Sequence, residues 1–148
     1  MILRCRMKNI WQTAVSAALL LLAMSGCAVA QTPPIVRVAL LAPFEGRYRE
    51  VGYDALYAAR LALSDSDTTQ VVLLAVDDGG TPENAAARAQ ALALDPSVRA
   101  VLLVGYAATD PATLDALGDV PAIVIGAWGV SPREGLHVMA SPSAEVLP

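Results

Sequence analysis

Cysteine is almost missing from this chain of 148 residues: there are two, Cys5 and Cys27, and none follows. Any domain built from residue 28 onward therefore has neither a disulfide framework nor a thiolate metal site. Lysine and histidine occur once each, as Lys8 and His137. A single histidine in an apolar stretch, without a cluster of acids beside it, argues against a histidine metal set and against a nucleophile–His–acid triad. The ten glycines never fall into G-x-G-x-x-G or a P-loop, which argues against a nucleotide cradle. Basic charge is scarce as well. Beyond Lys8 seven arginines face 14 acidic residues with no basic stripe, so nucleic acid is excluded as a partner class.

What is present begins with an export layout. Arg4, Arg6 and Lys8 precede an apolar run from Ala14 to Met24. That run is shorter than the roughly 20 apolar residues a helix needs to cross a bilayer, so a signal peptide is the better reading than an uncleaved anchor. Met24-Ser25-Gly26-Cys27 resembles a bacterial lipobox, which implies lipidation of Cys27, membrane attachment and an extracytoplasmic location in the cell envelope. The alternative is cleavage after Ala28-Val29-Ala30 and release as a secreted protein. The expected organisation is a signal over 1–26, a tether over 27–34 and a single lobe over 35–148.

The rest of the chain alternates between two hydrophobic patterns. Val36 to Ala42 is a nearly continuous apolar strand, as when both faces of a sheet are covered. Val51 to Ser64 places Val51, Ala55, Leu56, Ala59, Ala62 and Leu63 along one side of a helix. Strands follow at Val71–Val76, Arg99–Val104, Ala122–Ile125 and Leu136–Ala140. Thr81-Pro82 and Asp110-Pro111 each put a capping side chain before a proline at the first helical position, opening helices between these strands. This alternation predicts an α/β fold with a doubly wound parallel sheet.

With these elements placed, the chain resembles the first lobe of a type I periplasmic binding protein of the leucine/isoleucine/valine-binding family, which serves ABC importers. The resemblance rests on Val-Ala-Leu-Leu-Ala-Pro-Phe-Glu-Gly (38–46), on Gly52 and Asp54, and on Val-Asp-Asp-Gly-Gly-Thr-Pro (76–82). It continues through Leu94-Asp95-Pro96, Ala-Val-Leu-Leu-Val-Gly (100–105), Val120-Pro121-Ala122 and His137 to Ser143. It implies a strand order of 2-1-3-4-5 and binding of a small molecule, amino-acid-like or another polar solute, without catalysis or cofactor. It also implies an ABC permease as partner and a second lobe, before which this chain is cut.

In that strand order the ligand crevice lies beyond strands one and three, where successive connections leave in opposite directions. Phe44, Tyr48, Tyr106 and Trp128 are the candidate apolar walls and Thr109 the candidate hydroxyl. Relatives hold a ligand carboxylate with hydroxyls and backbone N–H groups, yet Ala107 and Ala108 carry no hydroxyl and Asp110 would repel an anion. These residues fit a neutral or cationic ligand better. Asp77 and Asp78, before Gly79-Gly80, read as turn caps rather than a metal pair. Two other classes compete: an envelope lipoprotein that uses the lobe to bind or regulate another protein, and an α/β enzyme. The enzyme is the weakest, because no nucleophile–base pair is found.

Overall fold

The computed structural model describes residues 35–66 and 70–140. The export signal, Cys27, the tether and the 141–143 segment lie outside the described residues. The strands are β1 (Val36–Ala42), β2 (Val71–Asp77), β3 (Val98–Leu103), β4 (Ala122–Ile125) and β5 (Leu136–Met139). The helices are α1 (Arg49–Ser64), α2 (Pro82–Leu94) and α3 (Pro111–Ala116), and a single 3-10 turn, Gly46–Tyr48, leads into α1. All strand pairings are parallel and the order is β2-β1-β3-β4-β5, the doubly wound α/β arrangement the sequence implies.

Side-chain alternation divides the sheet into two unequal faces. Ala39 and Leu41 of β1, Val101 and Leu103 of β3, Ala122 and Val124 of β4 and Leu136 of β5 form one core with Ala89 and Leu92 of α2 and Leu114 of α3. Leu40 and Ala42 of β1 point the other way and meet Leu56 of α1 and Val104. Alanines at 85 and 89 are fully buried, which lets α2 approach the sheet closely. Among the described residues the first face is thus roofed by α2 and α3, and the second by α1 alone, above β1 and β2. Ile125 and Met139, on the second face of β4 and β5, are left 37% and 64% exposed.

The helix ends follow local chemistry. Thr81 Oγ1 accepts from the Asn84 N–H at 3.3 Å, and Asp110 Oδ1 accepts from Ala112 N–H at 2.9 Å, each before a proline in the first turn. In α1 the inward line is Gly52, Ala55, Leu56, Ala59 and Leu63; Val51 and Ala62 are exposed, contrary to the sequence expectation. Gly52 is the cause. A Cβ there would collide with the carbonyl oxygen of Pro43, so glycine lets the helix start against the β1 loop. That contact turns Gly52 inward and Val51 to the side.

Candidate functional site

The chain's loops gather where the sheet changes direction. α1 leaves β1 towards one face, α2 and α3 follow β2 and β3 on the other, and a cavity of about 340 Å³ lies between the β1 and β3 loops. Pro43, Gly105 and Asp78 form its base, and Tyr48, Tyr106 and Trp128 its walls.

The aromatic wall is continuous. Tyr106 meets Trp128 edge to face with centroids 4.9 Å apart and Tyr48 in the same manner at 6.4 Å. Trp128 Nε1 donates to the Ile125 carbonyl at 2.7 Å, which fixes the indole plane and uses its one donor. Tyr48 and Tyr106 are 53% and 68% exposed, large apolar surfaces held open at a concave site. At the rim Arg47 reaches over Tyr48, its guanidinium carbon 6.0 Å from the ring centroid, with Glu45 also on the rim.

The other two candidates are placed differently. Phe44 does not line the cavity; it packs beneath α1, edge to face with Tyr53 at 5.5 Å and against the Leu40–Leu56 core. Its position in the loop left both directions open, and the docking of α1 through Gly52 draws it under the helix. Thr109 is buried, and its Oγ1 donates to the Gly105 carbonyl at 2.8 Å, bracing the turn after β3. It borders a neighbouring cavity of about 300 Å³ on the far side of Trp128. Thr113 braces the same turn by donating to the Ala107 carbonyl at 2.8 Å.

Asp77 and Asp78, neighbours in sequence, have separate tasks. Asp77 spends both oxygens on backbone, accepting from Phe44 N–H at 2.7 Å and Gly79 N–H at 2.9 Å, and so ties the β1 loop to the β2 loop. Asp78 is 3% exposed; its Oδ1 accepts from Gly80 N–H at 2.8 Å. No described hydrogen bond takes Oδ2, which stands beside Gly105 in the cavity base. Burial raises the Asp78 pKa above the ordinary carboxylate value, with Asp77 adding to it, while the Gly80 N–H and Arg88 oppose. The sequence reading missed this carboxylate as a cavity residue, although two acids before Gly-Gly was the available signal.

Gly105 itself has φ of +98°, and a Cβ there would lie 3.0 Å from Pro43 Cδ, so only glycine leaves this base open. Among the described residues no group of three His, Cys, Asp or Glu side chains is assembled as for a metal ion, and no helix is long and apolar enough to cross a membrane.

No family model and no curated protein matches the chain. Solved structures do. A solute-binding protein of an ABC transporter from Rhodopseudomonas palustris BisB5, in complex with 3,4-dihydroxybenzoic acid, is 26% identical, with a TM-score of 0.52 over 61% of this chain and 26% of that one. A possible leucine/isoleucine/valine-binding protein from Rhodopirellula baltica SH 1 is 20% identical, with a TM-score of 0.48 over 69% and 29% of the two chains. A solute-binding protein of an ABC transporter from R. palustris in complex with benzoate is 19% identical, with a TM-score of 0.46 over 61% and 27%. The chain thus spans little more than a quarter of each of these structures.

Proposed function

We propose that this chain is a ligand-binding lobe of an extracytoplasmic solute-binding protein of the branched-chain-amino-acid type, which hands a small molecule to an ABC importer without chemistry of its own. The observation that carries this reading is the cavity at the switch point of the β2-β1-β3-β4-β5 sheet, walled by Tyr48, Tyr106 and Trp128. Ligands of open α/β sheets sit at that place, and the likeness to the R. palustris BisB5 solute-binding protein supports it. In this reading Cys27 carries the lipid, and a second lobe, on this or another chain, closes over the cavity.

The test is a titration of the full-length chain with a panel of branched-chain amino acids, benzoates and small amines, followed by isothermal calorimetry. Saturable binding of at least one solute, weakened tenfold or more by Trp128→Ala, is expected. Absence of saturable binding across the panel up to millimolar concentration would overturn the reading. Labelled palmitate should appear on the wild-type chain in bacteria and not on Cys27→Ala.

A second reading, an envelope lipoprotein that binds another protein, is favoured by the exposed Ile125 and Met139, paired at the ends of β4 and β5. Loss of a co-purifying partner in Ile125→Ser with solute binding intact would support it over the first.

A further inference from the structure

Asp78 carries more than its backbone bond requires. The turn after β2 needs one acceptor for Gly80 N–H, which Oδ1 supplies. An asparagine would do this without burying a charge. Instead a carboxylate is held 3% exposed, and Oδ2 lies unclaimed at the cavity base. Burying a carboxylate with one oxygen unclaimed is costly; the Gly80 N–H and Arg88 offset part of that cost, and a cation on Oδ2 would offset more. Asp77 shows the contrast, with both oxygens engaged by main-chain N–H groups.

The surroundings select the sign of that partner. Aromatic rings attract cations to their faces, and three rings line the cavity within reach of one another. Of the donors near the cavity, Trp128 Nε1 is used on Ile125 and the Thr109 hydroxyl, in the neighbouring cavity, on Gly105; the side-chain donors left are the exposed ones, Arg47 at the rim and the hydroxyls of Tyr48 and Tyr106. Glu45 and Arg47 are opposite charges on the exposed rim, which leaves Asp78 as the buried charge within.

From this geometry we infer that the cavity binds an organic ammonium ion, its nitrogen on Asp78 Oδ2 and its apolar body among Tyr48, Tyr106 and Trp128. The inference rests on the solute-binding reading and names its ligand class.

Matched pairs of opposite charge test it: 2-phenylethylammonium against 3-phenylpropionate, and isopentylammonium against 4-methylpentanoate, each titrated at pH 7 into the full-length chain. In at least one pair the ammonium is expected to bind tenfold or more tighter than its carboxylate partner. Asp78→Asn keeps an acceptor for Gly80 N–H and is expected to weaken the ammonium at least tenfold while leaving the carboxylate unchanged or tighter. Should that variant fail to fold, Tyr106→Ala, which truncates an exposed ring, must weaken the ammonium at least threefold. Preference for the carboxylates, or equal ammonium binding by Asp78→Asn, overturns the inference while solute binding stands. If none of the four probes binds, the inference also falls, and the solute panel alone decides the solute-binding reading.

Discussion

At the scale of single residues, Asp78 sets binding against stability. Its carboxyl titrates above the ordinary range in the folded chain because burial disfavours the charge. The native state therefore holds this proton to higher pH than the unfolded state does. Its contribution to stability is full in acid, below the unfolded value, and is lost as pH rises through the folded value. Asp78→Asn removes that loss, so the variant is expected to melt no lower than wild type at pH 7. The difference between the two should shrink as pH falls below the ordinary carboxylate value, followed by thermal melts from pH 3 to 8. A lower melting temperature for the variant across the whole range would contradict this. The sequence showed two adjacent acids before two glycines and nothing to tell them apart. Only the packing of the β1 loop against β2 gives Asp77 two main-chain donors and Asp78 one, so their division of labour was illegible from the sequence.

At the scale of elements, α1 matters most, because among the described residues it alone covers the second face of the sheet. Leu56 is its principal buried side chain, 6% exposed against Leu40, Ala42 and Val104. Leu56→Ala is expected to cost about 3 kcal/mol in urea unfolding, as for truncations of buried leucine. Gly52→Ala should cost a comparable amount, about 2 kcal/mol, because the added methyl has backbone rather than a flexible side chain in its way. The strands were legible because unbroken apolar runs mark buried parallel sheet, and the caps because Thr-Pro and Asp-Pro carry their own mechanism. The facing of α1 was legible only in part. Periodicity admits a small rotation, and the choice between Val51 and Gly52 as the inward residue depends on how close Pro43 comes. Phe44 followed that same choice, and so left the cavity.

At the scale of the whole molecule, the sheet is lopsided. The first four strands are joined by helical crossovers, whereas β4 returns to β5 through the loop 126–135, which holds Trp128 and no helix. Arg133 in that loop forms an exposed ion pair with Asp115 at 3.1 Å, of a kind that adds little to stability. Parallel neighbours are ordinarily bridged by a packed helix, and here that support is missing. The cavity wall is consequently mounted on the edge of the sheet. Gly126 N–H bonds the Met139 carbonyl at 2.8 Å, so fraying of β5 frees the base of the loop that carries Trp128. In hydrogen exchange the amides of β5 should open before those of β1 and β3, since edge strands open locally at lower cost. A bound solute that presses on Trp128 should slow them, although it touches no residue of β5. On the solute-binding reading, occupancy would then be written into the exchange rate of an outer strand, and a full site would be reported by how firmly that edge stays shut.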